Sequence, residues 1–286
     1  MDQTEIFGIG TTPCAVTAPY AIKLGFTPHA SAYSTSERNT KGVVLKELPQ
    51  NESDTIGKRV YQHPSWGKYG AMGSITISDA GTVFTAPLPV INTLDRPLSK
   101  MNRIYKIDHL TGEMEEFMIL PSADTSEGVV PFAVLGLYYD CHGRKLYAST
   151  VAGSTREHEK GVIYVIDAET RKIIDRMEGH DVSSLFVCGV TGEKRLYFGS
   201  ARTSEVKSVL LDKSGQFEGD MKTEFSLDHL GPRGNDKARR MRMDQRRMLI
   251  VTGVEFDFNL TAPTVVPITS YAFVYNGKSK KWVTVQ

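Results

Sequence analysis

The sequence predicts an all-β fold, a β-propeller of four-stranded blades, five by count with six as the alternative. Three observations predict it. Apolar and aromatic residues fall in short runs bounded by glycine, aspartate and asparagine, the pattern of strands and hairpin turns. The runs come in groups of four that recur every ~50–60 residues. Long amphipathic helical periodicity is nearly absent.

The clearest group runs through Val134–Asp140, the turn Cys141-His142-Gly143-Arg144, Lys145–Thr150, a polar loop, Gly161–Asp167 and Arg171–Asp175. Others begin near residues 74, 184 and 240, and a weaker first copy begins at Tyr20-Ala21-Ile22-Lys23-Leu24. Their third strands end in aspartate before a turn, as in Lys106-Ile107-Asp108 with Thr111-Gly112. The repeats fill residues 20–286 as one domain without a linker. Residues 1–19 are too few for a blade and are expected at most to close the ring with a strand at Glu5-Ile6-Phe7-Gly8-Ile9.

Composition sets limits. Thirty-four Lys and Arg against 33 Asp and Glu, in 286 residues, leave a net charge of +1. That balance gives no general attraction to nucleic acid or to an anionic membrane, so neither is expected as a partner. No apolar stretch approaches the roughly 18–20 residues that span a bilayer. Met1-Asp2-Gln3-Thr4-Glu5 lacks the basic and apolar regions of a signal peptide, so the chain as given reads as cytoplasmic. Secretion stays open if a leader was removed, and Asn51-Glu52-Ser53 and Asn259-Leu260-Thr261 fit the glycosylation triplet. Cys14, Cys141 and Cys188 are too few and too scattered for a disulfide framework or a zinc site. Reduced structural thiols are expected, with a pair between two of the three as the alternative.

Leu135-Gly136-Leu137 through Asp140-Cys141-His142-Gly143-Arg144-Lys145-Leu146-Tyr147-Ala148-Ser149, with Val165-Ile166-Asp167 and Thr170, resembles the TolB-like and gluconolactonase/strictosidine-synthase-like propeller superfamily. The resemblance covers most of the chain and implies the fold. It implies little about function, because many propellers share these motifs. Metal-dependent members of that superfamily place Asn and Asp at the head of the inner strands, around a central cation. The corresponding places here read Gly73, Leu135, Ser183 and Arg239 or Arg240. Leucine cannot ligate a cation and arginine repels one, so neither metal nor cofactor is expected.

Propeller geometry brings second-to-third-strand loops and the loops entering first strands to one funnel mouth. The expected catalytic residues there are His180, Asp181, His158, Glu255 and Asp257. Histidine titrates near neutral pH and a neighbouring carboxylate tunes it, which suits acid/base work. The expected substrate-binding residues are Arg38, Trp66, Arg156, Arg202, Arg240, Phe256 and Asn259. On an extended strand Arg240 and Arg242 share one face and Met241 and Met243 the other, so the arginines suit an anionic ligand. No nucleophile elbow, phosphate loop or metal-spaced cluster is present in the sequence. The leading expectation is a small-molecule-handling enzyme without metal or cofactor, of cyclase, isomerase or lyase type. A metal-dependent lactonase-like hydrolase and a non-catalytic ligand- or protein-binding propeller are the alternatives. The oligomeric state is open.

Overall fold

The computed structural model describes residues 14–35, 40–49, 59–88, 100–121, 134–155, 157–255 and 267–285. It is a five-bladed β-propeller. Blade I contains β1 (Ser31–Ser34), β2 (Val44–Glu47) and β3 (Val60–Tyr61). Blade II contains β4 (Met72–Ile77), β5 (Val83–Pro87), β6 (Arg103–Ile107) and β7 (Met114–Ile119). Blade III contains β8 (Val134–Asp140), β9 (Lys145–Thr150), β10 (Val162–Asp167) and β11 (Lys172–Glu178). Blade IV contains β12 (Val182–Val190), β13 (Glu193–Ser200), β14 (Glu205–Leu211) and β15 (Phe217–Ser226). Blade V contains β16 (Lys237–Met243), β17 (Leu249–Val254), β18 (Ile268–Asn276) and β19 (Lys281–Val285). Each blade is a separate antiparallel sheet whose strands pair in chain order. The first strands of blades II to V touch in sequence around the hub. Among the described residues no helix is long and apolar enough to cross a membrane.

One expected strand is absent. Residues 20–24, read as the first strand of blade I, belong mostly to α1 (Pro19–Lys23). Pro19 stands in the first turn, where its fixed φ suits a helix and its missing N–H costs nothing. Tyr20 and Ala21 are buried, and Gly25 at φ +83° ends the turn. The described part of blade I therefore has three strands. The expected closing strand at residues 5–9 lies outside the described residues.

The aspartates that end strands build the turns. Asp108 Oδ1 accepts hydrogen bonds from the backbone N–H groups of Leu110 and Thr111, both at 2.9 Å. Asp167 does the same for Thr170 N, and Asp212 for Ser214 N and Gln216 N, all at 2.8–2.9 Å. A short carboxylate that reaches its own backbone two to four residues on fixes a tight turn. These hairpin turns lie on one face of the ring, here the underside. The described second-to-third-strand and blade-to-blade connections, among them β9–β10, β11–β12 and β13–β14, lie on the upper face.

The core lies between the blades. Phe84, Ile104, Leu137 and Leu146 fill the space between blades II and III. Ile163, Val165, Leu185 and Phe198 fill that between III and IV, and Phe186, Tyr197, Met241 and Phe273 that between IV and V. Near the hub, hydroxyl groups stitch neighbouring blades together. Thr35 Oγ1 donates to Gly73 O at 2.9 Å, and Leu137 N and Tyr139 N donate to Ser74 Oγ and Thr76 Oγ1 at 2.9 and 3.0 Å. Ser149 Oγ donates to Val182 O at 3.0 Å, and Ser184 Oγ to Ala238 O at 2.6 Å. Such bonds form only where backbones approach closely. At Gly199 a Cβ atom would sit 2.5 Å from Ala238 O and 2.7 Å from its Cβ.

The N-terminal segment runs across the underside. Cys14 forms a disulfide with Cys141 in the β8–β9 turn. Ala18 packs against Gly81 in the β4–β5 turn, and Tyr20 N donates to His109 O at 3.2 Å. The expectation of reduced thiols is corrected for this pair. Only Cys188, buried between blades IV and V, is free.

Gly199→Ala is expected to lower stability by about 1–3 kcal/mol, because the added methyl meets backbone rather than a movable side chain. A urea titration should show a lower midpoint at unchanged slope; an unaltered midpoint would contradict the close approach.

Candidate functional site

On the upper face between blades III and IV, several expected site residues converge. His180 and Asp181 enter β12, His158 stands in the β9–β10 loop, and Arg202 follows β13. Asp181 is fully buried. Its Oδ1 accepts from Gly161 N at 3.0 Å and from Ser154 Oγ, and its Oδ2 accepts from Arg202 Nε at 2.6 Å and Nη2 at 2.5 Å. Arg202 Nη2 also donates to Thr155 O at 2.6 Å and His158 O at 3.0 Å. Asp181 N donates to Glu159 Oε1 at 2.6 Å. Both carboxylate oxygens are thus committed to holding the β9–β10 loop against blade IV. Asp181, expected as a catalytic residue, and Arg202, expected to bind substrate, pair with each other as a structural lock.

Blade V repeats the device. Asp236, also fully buried, stands just before β16 as Asp181 stands just before β12. It accepts from Arg233 Nε at 2.5 Å, Arg233 Nη2 at 2.7 Å and the Tyr271 hydroxyl at 2.8 Å. The sequence signal was an aspartate in the residue before a first strand in two repeats, Asp181-Val182 and Asp236-Lys237, and the sequence analysis missed it.

The remaining expected residues make no comparable network among the described residues. His180 is half-buried, and burial pushes its pKa below the usual histidine value against the pull of nearby Glu159. Its imidazole is therefore neutral at neutral pH. His158 is exposed, with Nδ1 3.4 Å from Thr155 Oγ1. Glu255 is exposed at the end of blade V's second strand. Trp66 is corrected from a mouth residue to a core residue. It is fully buried between blades I and II, with Nε1 donating to Gly112 O at 2.7 Å and the Tyr61 ring at 5.5 Å. An aromatic residue near a loop histidine reads the same in sequence whether it lines a funnel or fills a core. Arg38, Arg156, Phe256, Asp257 and Asn259 lie outside the described residues.

The first strands carry a second pattern. Blades II to V each have a β-bulge near the upper end of the first strand, over Gly73-Ser74, Leu135, Ser183 and Arg239. A bulge bends the strand and re-aims the extra residue, and bulges are frequent beside ligand sites. These are the positions where metal-dependent propellers of the resembled superfamily carry ligands. Glycine and leucine offer no donor, Ser183 Oγ already donates to Ala238 O at 2.6 Å, and Arg239 is a cation. The set does not fit a hard cation.

The residue that closes the bulge in blade II, and the one that follows it in blades III and IV, faces the next blade. It is Ser74, Gly136 and Ser184 in turn, each small enough for the close approach described above. In blade V it is Arg240, with Arg242 two residues on. Met241 and Met243 are buried against blade IV, so both arginines face the side turned toward blade I. Arg239, Arg240 and Arg242 are all exposed. Among the described residues none of their guanidinium groups has a hydrogen-bond or ion-pair partner. Surrounding protein and the neighbouring Arg240 nevertheless lower the pKa of Arg239.

No protein-family model matches the sequence, and no curated protein does. Solved structures similar to this chain include the nidogen/laminin complex, at 12% identity and a TM-score of 0.48 over 82% of this chain and 83% of that one. A glucose dehydrogenase is similar at 12% identity and 0.46, over 87% and 81%. The PQQ-bound aldose sugar dehydrogenase from Streptomyces coelicolor is similar at 10% and 0.43, over 93% and 81%. At these values the likeness carries nothing about activity, and it does not single out the superfamily that the sequence resembles.

Arg202→Ala is expected to cost about 3–5 kcal/mol by leaving the buried Asp181 carboxylate without its counter-charge. Adding Asp181→Asn should recover part of that loss in a denaturant titration. A change below about 0.5 kcal/mol for Arg202→Ala, the range of ordinary surface substitutions, would show that the pair is not a lock.

Proposed function

We propose that this propeller handles a small organic anion, a carboxylate or phosphate ester, bound at the upper end of the hub beside blade V. Arg239 and Arg240 are the recognition pair, and Arg242 adds charge behind them. The observation that carries this reading is the run of exposed arginines on blade V's inner strand, none with a hydrogen-bond or ion-pair partner among the described residues; at the Arg240 position blades II to IV have serine or glycine. Adjacent cations repel each other, and an arriving anion relieves that repulsion. Guanidinium groups match carboxylate and phosphate geometry with paired hydrogen bonds. The blade II to IV positions contribute shape rather than charge.

A catalytic reading stands second, on the neutral, half-buried imidazole of His180 beside Glu159. In that reading His180 is the general base, and Asp181 does not take part because its oxygens are committed. Turnover would fall as pH drops through the depressed His180 pKa, since the base form is needed. Nothing in the geometry selects cyclase, isomerase or lyase chemistry, and the donor set speaks against a metal-dependent lactonase.

Calorimetric titration at low salt with citrate, malate, glucose 6-phosphate and neutral glucose tests the first reading. At least one anion is expected to bind saturably and glucose not at all. Arg240→Ala should weaken that binding at least ~tenfold, equivalent to ~1.4 kcal/mol, and the Arg239→Ala/Arg240→Ala double variant should weaken it further. The melting temperature of Arg240→Ala alone should barely move, because the exposed side chain has no hydrogen-bond or ion-pair partner among the described residues. Anion binding that ignores both substitutions would refute the assignment.

A further inference from the structure

The underside holds a cavity that the hub site does not use. It is an open cleft between blades II and III with a volume of about 440 Å³, and the largely buried rings of Phe84, Phe117 and Tyr139 form its apolar floor. The rings form a preassembled cluster. Phe84 meets Phe117 edge-on at 5.0 Å and 73°, and stacks on Tyr139 at 5.8 Å and 15°. That volume lies in the range of small-molecule sites, and the part of the aromatic cluster that reaches the cleft offers a small apolar body a contact.

Charge at the rim decides what that body carries. Lys106 Nζ and Arg171 Nη2 share Glu115 Oε1, at 3.0 and 3.6 Å, and the Arg171 guanidinium also lies over the Phe117 ring at 5.5 Å. Asp79 accepts from the Tyr139 hydroxyl at 3.3 Å. Arg144, in the β8–β9 turn, also lines the cavity, and its guanidinium has no hydrogen-bond or ion-pair partner among the described residues. Its charge does reach the Tyr139 hydroxyl, whose pKa it lowers against the upward push of burial and Asp79. Glu169 lies on the same rim and bears the opposite charge.

The site is held open from one side. The segment Cys14–Ala18 is bonded to the β8–β9 turn through Cys141 and packs on the β4–β5 turn through Ala18, and both turns supply lining residues. Fixing two turns relative to each other lowers the ordering cost of binding between them.

We propose that this cavity is a second ligand site, separate from the hub, for a small planar aromatic molecule bearing one negative charge, its ring against Phe84, Phe117 and Tyr139 and its anion on Arg144. Indole-3-acetate and tryptamine share a ring system and differ in the sign of charge. Ligand-observed NMR and calorimetry with each, on the full chain, test the proposal. Indole-3-acetate is expected to bind saturably, one per chain, and tryptamine at least tenfold more weakly. Arg144→Asn should weaken indole-3-acetate at least tenfold; asparagine tolerates the positive φ of 51° at this turn, so folding is preserved. Arg240→Ala should leave this binding unchanged, which separates the cavity from the hub. Tighter binding of tryptamine would assign the rim to Glu169 and Asp79 and overturn the proposal. So would no saturable binding of either compound, or an affinity indifferent to Arg144→Asn.

Discussion

The ring depends on how closely its inner strands approach. Blades are joined by no shared sheet, so each seam is held by interleaved side chains outside and by a few hydroxyl-to-backbone bonds near the hub. Thr35, Ser74, Thr76, Ser149 and Ser184 supply those bonds, and each is short enough to reach a neighbouring backbone directly. A net hydrogen bond contributes only about 0.5–1.5 kcal/mol, but a bond lost here would leave a buried polar group unsatisfied. Close approach is therefore enforced from both directions, by what the bonds give and by what their absence costs.

Blade V departs from this rule at the equivalent positions. Arginine at 240 and 242 cannot make the short stitch that serine makes in blades II and IV. The same first-strand register that builds the three tight seams after blades II, III and IV thus presents cations after blade V. Function placed there draws on a rigid frame: β16 is anchored on its other face by Met241 and Met243, and its entry is fixed by the buried Asp236–Arg233 pair.

Local information was legible in the sequence and long-range information was not. The strand-ending aspartates announced their turns because Asp108, Asp167 and Asp212 bond to backbone within four residues. Period-two alternation placed Arg240 and Arg242 opposite Met241 and Met243. Residues 20–24 were misread because five residues are too few to distinguish a strand from a helical turn, and a proline at the start settled it. Asp181 and Arg202 were both singled out, yet their partnership across 21 residues, and with it the loss of Asp181 as an acid, depends on how two blades meet. Trp66 failed for the same reason, since burial between blades is a property of the assembled ring. The Cys14–Cys141 pairing across 127 residues has no signal in spacing at all.

That disulfide has a topological effect. It closes a covalent circle that contains all of blades I and II and the first strand of blade III. A single backbone cleavage anywhere inside the circle releases no fragment while the bridge is intact. The two cut ends stay tethered to the same body and can re-seat. Cleavage beyond residue 141 has no such tether, so the two halves of the propeller differ in how they survive a nick.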